Sequence, residues 1–229
     1  MPQTLGHITH LLCGSVQPFH LPETFSAIAK QPIHGPVHAG PLGLNGDQQA
    51  DQRVHGGVDK AIHQYPSEHY AYWREQLGEL PVLQAPGAFG ENIASTGMTE
   101  ADICLGDQLQ IGTALLEVSQ SRQPCWKLNL RFDTADMSLR VQQTGKNGWY
   151  YRVLKAGDIH AGDAICLTQR PLPDWPLTRV NTLIFATTIN TAELQAFSQL
   201  PLPPSWRRLV ERRLESGQIE NMHKRLYGA

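Results

Sequence analysis

Leu109-Gln-Ile-Gly-Thr-Ala-Leu-Leu-Glu-Val118 reads as two short strands, Leu109–Ile111 and Ala114–Val118, folded back on each other through Gly112-Thr113. A two-residue Gly-X connection is a hairpin turn, because glycine supplies the positive φ that so tight a reversal needs. The same punctuation spreads outward from this point. Gly106-Asp107, Gly157-Asp158 and Gly162-Asp163 each border a strand-like stretch such as Ala164–Thr168. Several short strands closing on one another imply a barrel or a folded, twisted sheet. The fold class expected over residues 1–170 is therefore mainly β.

A few helices interrupt it. Pro66-Ser67 predict a helix with Tyr70, Trp73 and Leu77 on one face and Gly78 as its stop. A second runs from Asp133 through Met137, Leu139 and Val141 toward Gly145. Pro171-Leu-Pro-Asp-Trp-Pro176 predicts a linker over 171–177. Residues 178–229 then predict a small C-terminal three-helix domain. Thr191 caps a helix through Leu194 and Phe197, and Ser205 caps one carrying Trp206, Leu209, Val210 and Leu214, with Gly217 as its stop. The last includes Ile219, Met222 and Leu226. The tail's cations (Arg207, Arg208, Arg212, Arg213, Lys224, Arg225) interleave with Glu211, Glu215 and Glu220, as on a solvated face or a docking surface.

Composition excludes several function classes. A net charge of -2 offers no general attraction to nucleic acid or to an anionic membrane. No apolar run approaches the roughly 20 residues that span a bilayer. Met1-Pro-Gln-Thr-Leu-Gly-His7 lacks a charged region followed by an apolar core, so no secretory signal is expected. Cys13, Cys104, Cys125 and Cys166 are scattered without a CxxC pair, against a zinc ribbon, an iron–sulfur cluster or a thioredoxin-like couple. A cytoplasmic location with reduced thiols is the expectation.

Three stretches carry chemistry. Gly40–Ala61 holds five glycines together with Asp47, Asp51, Arg53, His55, Asp59 and Lys60. Glycines such as Gly56 and Gly57 let backbone N–H groups approach a bulky or anionic ligand. With neither GxGxxG nor GxxxxGK[ST] present, the stretch is no nucleotide fingerprint, and composition fits a turn-rich loop as well as a binding loop. In Gly87-Ala-Phe-Gly-Glu-Asn92, Glu91 and Asn92 either complete a structural turn or offer hydrogen bonds to a polar heterocycle. In Arg122-Gln-Pro-Cys-Trp-Lys127, Cys125 follows a proline favoured at a helix start and lies between two cations. That setting favours a thiolate, a soft metal ligand, although a partly buried structural thiol remains open. The other three cysteines sit in strand-like apolar runs, as inert core thiols do.

Taken together, Arg53-Val-His-Gly-Gly-Val-Asp-Lys-Ala61, Gly87-Ala-Phe-Gly-Glu-Asn92 and Arg122-Gln-Pro-Cys125 resemble the signature of the MOSC family, named for the C-terminal domain of molybdenum cofactor sulfurase. The helical tail resembles that of a bacterial group in the family linked to resistance to N-hydroxylaminopurine. The resemblance implies a MOSC-type β-barrel that binds the molybdopterin-type molybdenum cofactor. Cys125 would be the metal ligand, and His55, Asp59, Lys60 and Arg122 would lie in or near the pocket, with Gly56, Gly57 and Asn92 about the cofactor. It also implies reduction of N-hydroxylated compounds such as hydroxylaminopurines and hydroxylamines. His55, with an ordinary pKa near neutrality, or Asp59 would serve as proton donor. With no cluster ligands and no dinucleotide motif in the chain, electrons would come from a separate flavin or iron–sulfur reductase. Two other readings compete: a sulfur carrier using a Cys125 persulfide, and a cofactor-binding or delivery module without turnover.

Overall fold

The structure is a computed structural model describing residues 3–228. Met1, Pro2, Ala229 and the side chains of Arg53 and Val54 lie outside the described residues, which leaves the Arg53 side chain of the glycine-rich stretch without an account. The chain opens with β1 (Gln3–Cys13), the small ribbon β2 (Gln17–Pro18) and β3 (Phe25–Ser26), then β4 (Gln31–Ile33), β5 (Val37–Gly40) and β6 (Gly43–Leu44). Helix α1 (Gln52–His55) and a 3-10 turn over Val58–Lys60 lead into β7 (Ile62–Pro66), α2 (Glu68–Leu77) and β8 (Ile93–Thr96). The expected hairpin follows as β9 (Gln108–Ile111) and β10 (Ala114–Ser121), then α3 (Lys127–Arg131) and α4 (Met137–Thr144). Strands β11 (Trp149–Lys155), β12 (Gly157–Ile159) and β13 (Ala164–Gln169) complete the sheets, and α5 (Leu177–Ile184), α6 (Thr191–Ser198), α7 (Pro204–Ser216) and α8 (His223–Tyr227) follow.

Seven strands form a closed ring in the order β1, β13, β9, β10, β11, β7, β8, with β8 returning to β1 and β4 attached to β1 outside it. The pair β7–β8 is parallel, and α2 supplies the crossover between them. Alternation along β9 and β10 turns Leu109, Ile111, Ala114, Leu116 and Val118 into the barrel core. At the hairpin tip Ile111 pairs with Ala114, and Gly112 takes φ +53. A Cβ on Gly112 would lie 2.3 Å from the Asp158 carbonyl oxygen, so the turn takes glycine on two counts.

A second core packs outside the ring among α2, α3 and α4, where Tyr65 stacks on Phe89 at 4.1 Å and Trp73 Nε1 donates to Tyr65 Oη at 2.7 Å. Both helices expected here exist, ending at Gly78 and at the left-handed Gly145. Pro66, however, is the last residue of β7 and not a helix opener. Cys13 and Cys166 lie on strands, whereas Cys104 sits in a turn bridged to Pro176.

The tail is helical as expected, with local corrections. Helix α5, not foreseen, begins directly after Pro176; its β-branched residues have weak helix propensity but bury Leu177, Val180, Leu183 and Ile184. Asn190, not Thr191, caps α6, accepting the Glu193 N–H, and Pro203 precedes α7 where Ser205 was expected. Ile219 and Met222 precede α8 and are not part of it. The proline-rich stretch before α5 is itself anchored: Leu105 N donates to Trp175 O at 3.0 Å, and Trp175 joins the core. Among the described residues no helix is long and apolar enough to cross a membrane.

Arg213 is not a surface cation. It is 2% exposed, donates to the carbonyls of Leu183 and Ile184 at 2.7 and 2.9 Å, and pairs with Glu220 at 2.7 Å. The guanidinium thus adds a donor to two carbonyls at the end of α5, of which Leu183 O also accepts the Ala186 N–H at 3.4 Å. Arg213→Leu should lower stability by roughly 3 kcal/mol, because the Ile184 carbonyl and the Glu220 carboxylate lose the donor that Arg213 gives them, and the Leu183 carbonyl keeps only its longer bond. Arg213→Lys should keep part of this. Urea unfolding checks both, and an unchanged midpoint in Arg213→Leu would refute the anchoring role.

Candidate functional site

Strand register builds the floor of the site. His63 on β7 is the cross-strand partner of Tyr150 on β11, and Tyr150 is that of Gln120 on β10. The His63 and Tyr150 rings stand 5.0 Å apart. Two residues beyond Gln120 the chain leaves the sheet, with Arg122 N donating to Gly148 O at 3.0 Å. Gly148 takes φ +67, and a Cβ there would meet the Gln64 carbonyl oxygen at 2.3 Å, so glycine is what lets this segment cross β7 closely. Pro124 cannot continue a strand ladder, and Cys125 falls in the turn before α3, where its carbonyl accepts the Leu128 N–H at 2.9 Å.

Two further segments wall the pocket. Helix α1 ends at His55, and the 3-10 turn ends at Lys60. Opposite them Lys30 is ion-paired with Asp47, whose Oδ1 also accepts the Gly14 N–H at 2.8 Å. The space of the pocket, counted out into open solvent, is about 680 Å³. Among the described residues, Lys30, Lys60, Arg122 and Lys127 line it against a single carboxylate, Asp47.

Of the residues expected at the site, His55, Lys60, Asn92, Arg122 and Cys125 all line this one pocket. Asp59 does not. Its carboxylate accepts from Arg152 Nε and Nη2 at 2.9 and 2.5 Å, and Arg152 also pairs with Glu117, on the outer side of the wall. Gly56 and Gly57 do not line it either; Gly57, at φ +91, precedes the 3-10 turn, and its carbonyl accepts the Lys60 N–H at 3.0 Å. Their contribution is to reverse the chain so that His55 and Lys60 reach the same space. Asn92 borders the pocket with its amide already engaged: Oδ1 accepts the His63 N–H at 3.1 Å and Nδ2 donates to Leu12 O at 3.2 Å. Glu91 is wholly buried, accepting from Tyr70 Oη, Gly87 N and Phe89 N at 2.5, 2.7 and 3.1 Å. The Gly87–Asn92 stretch is therefore mainly a structural brace.

Lys30, His63 and Tyr150 escaped the sequence reading. Lys30 lies far from every motif. His63 alternates with Tyr65 in a strand that is buried throughout, the pattern of an ordinary buried strand. Only their convergence on the pocket singles them out.

Burial and like charge set the electrostatics. His55 is lowered to about 4, first by burial and then by Lys60, Lys127 and Arg122. His63 is lowered to about 3 by burial and then by Arg122. Both rings are therefore neutral at pH 7, and the expectation that His55 titrates near neutrality does not hold. Burial also lowers Lys60, while Cys125 and Asp59 pull it back up. Burial raises the Tyr150 hydroxyl, and the Arg122 guanidinium partly offsets it. Among the described residues, two buried polar atoms at the floor, His63 Nε2 and Arg122 Nη1, have no hydrogen-bond partner. A buried donor left open beside excess positive charge suits an anionic, hydrogen-bonding ligand.

Residues 51–166 match the MOSC domain family, and residues 175–217 match the YiiM-like, 3-alpha helix domain. Protein YiiM of Escherichia coli (strain K12) is 39% identical over 89% of this chain and 91% of its own length. A protein named "Reductase" from Gibberella moniliformis is 40% identical over 85% of this chain, which covers only 35% of that longer protein. The crystal structure of YiiM from Escherichia coli superposes with a TM-score of 0.82 at 31% identity, covering 97% of this chain and 99% of that one.

The two depressed histidines give a pH signature. Folded, they release their protons well below the ordinary value near 6.5, so between that value and about 4 the unfolded chain binds more protons. Their contribution to stability is complete above that window and is lost as pH falls through it. The slope approaches about 1.4 kcal/mol per pH unit for each histidine. Urea titrations of cofactor-free protein stepped from pH 7 to about 4 should show it, and His55→Gln should remove its share. Equal slopes in both proteins would contradict a neutral, buried His55.

Proposed function

Because this chain belongs to the MOSC family and carries the YiiM-like helical unit, we propose that it is a molybdenum-cofactor-dependent reductase of N-hydroxylated compounds, with Cys125 as the protein's ligand to the metal. The observation that carries the proposal is the gathering of one cysteine, four cations and two open buried polar atoms around a single pocket. Among the described residues no group of three or more His, Cys, Asp or Glu is arranged to hold a metal ion. A metal bound at Cys125 would therefore bring most of its ligands on an organic carrier, and a phosphorylated carrier matches the cationic wall. The reductase named among the relatives accords with this reading.

When bound, the cofactor supplies the two-electron couple and the acceptor for oxygen in converting R–NH–OH to R–NH₂ and water. The chain's own residues do the rest. Arg122, whose Nη1 has no partner among the described residues, would donate to an anionic group of the cofactor, and Lys60 and Lys127 would add positive charge at the wall. His55, neutral at pH 7, takes part as a hydrogen-bonding group. Lys60, its ammonium made more acidic by burial, would serve as a proton donor at the wall. Tyr150 and Phe89 supply aromatic surface at the pocket for a planar substrate. Electrons arrive from a separate flavin or iron–sulfur reductase.

Cys125→Ser should retain the fold, lose its molybdenum and abolish reduction of N-hydroxylated bases. Arg122→Ala and Lys60→Ala should lower cofactor occupancy by roughly ten- to a hundredfold, since a charge-assisted contact contributes about 1.5–3 kcal/mol. Metal and pterin analysis of protein made in molybdenum-replete cells provides the measurement. Wild-type molybdenum in Cys125→Ser would overturn the ligand assignment, and a mass gain of one sulfur on Cys125 would favour the sulfur-carrier reading.

A further inference from the structure

Beyond α7, which ends at the left-handed Gly217, the chain returns to the pocket. Helix α8 lies against the turn that holds Cys125 and against α3 and α4, and four hydrogen bonds fasten it, two of them to the turn. Trp126 N donates to Arg225 O at 2.8 Å, and Arg225 Nη1 donates to Pro124 O at 2.6 Å. Asn129 Nδ2 and Ser138 Oγ both donate to Leu226 O, at 2.8 and 2.6 Å. The other arm of the Arg225 fork donates to Gln142 Oε1 at 2.6 Å, on α4. One residue thus grips both neighbours of Cys125: Pro124 through its carbonyl and Trp126 through its amide.

Arg225 lies outside both family segments, which span residues 51–166 and 175–217, whereas the Pro124 and Trp126 that it grips lie inside the first. The contact also reverses the expectation that Arg225 is a solvated tail cation. The Cys125 turn needs such support, because α3 has only five residues and so short a helix holds its own first turn weakly. A guanidinium fork fixes direction as well as distance, which an ammonium does not.

We propose that Arg225 is a positioning residue for Cys125: by clamping Pro124 and Trp126 from α8, it aims the sulfur into the pocket and makes the C-terminal segment part of the cofactor site. The proposal rests on the reading of Cys125 as the metal ligand. The cofactor need not be present for the clamp to act, so the clamp is visible in cofactor-free protein.

The test compares full-length wild type with Arg225→Gln, Arg225→Lys and the exposed control Lys224→Ala. Amide hydrogen exchange is measured on cofactor-free protein and molybdenum content on protein from replete cells. In Arg225→Gln, exchange at the Trp126 amide should speed up roughly tenfold while the barrel amides of Leu116 and Tyr151 keep their rates. Molybdenum content should fall about tenfold, as loss of a group supporting a metal ligand commonly causes. Arg225→Lys should recover part of both effects, and Lys224→Ala should match wild type. Unchanged Trp126 exchange, or acceleration of all three amides together, would overturn the clamp. Wild-type metal content in Arg225→Gln, with metal lost from Cys125→Ser, would overturn the positioning role alone. Metal retained in Cys125→Ser would instead mark failure of the ligand reading itself.

Discussion

Strand β1 pairs with β13 over its first half and with β8 over its second, and this double pairing closes the ring. A closed ring leaves no barrel edge open for another strand, and it forces the strands to tilt and stagger by fixed amounts. The stagger brings the start of β7, the end of β10 and the start of β11 to one end of the barrel. His63, Tyr150 and Arg122 are neighbours for that reason. The β1–β8 ladder also holds Asn92 at the head of β8, where its amide ties β7 to β1. The pocket is thus a product of barrel closure, and its floor is as rigid as the sheet beneath it.

Charge is distributed unevenly over that frame. On the outer wall, Asp59, Arg152 and Glu117 satisfy one another. Inside, four cations face one carboxylate, and an arginine retains an unpaired buried donor. A protein folding only for stability gains nothing from a buried guanidinium donor left unsatisfied, as at Arg122 Nη1, because such a donor costs about 1–3 kcal/mol. Positive potential concentrated in a partly dehydrated pocket is what a polyanionic ligand would repay. The same potential, added to burial, keeps His55 and His63 neutral at pH 7, and burial weakens the ammonium of Lys60.

The helical tail joins the barrel at two places of different character. Trp175 and the start of α5 bind it to the barrel through apolar burial and three backbone hydrogen bonds, Leu105 N to Trp175 O, Leu177 N to Ile103 O and Thr178 N to Glu100 O. Farther on, Arg213 and Arg225 enter the structure as hydrogen-bonding centres, one beneath α5 and the other beneath the Cys125 turn. Arginine suits both places because it stays charged when partly dehydrated and offers several donors in a fixed plane. The tail is consequently part of the architecture of the site as well as an appendage to the barrel.

Local patterns decided much of this in advance. Alternation in Leu109–Val118 with glycine at its centre specified a hairpin, and Gly78, Gly145 and Gly217 marked helix ends, because turn geometry and side-chain direction are set within a few residues. The three motif stretches likewise pointed to one site and to Cys125 within it. What the sequence could not contain was partnership at a distance. Asp59 meets Arg152 at 93 positions' separation and Arg225 meets Pro124 at 101, and only the closed barrel and the returning tail determine those meetings. Burial is non-local in the same way: it turned Asn92 into a brace, kept His55 neutral and brought Lys30, His63 and Tyr150 to the pocket. A residue's chemistry depends on its solvent and its neighbours, and those are properties of the folded chain.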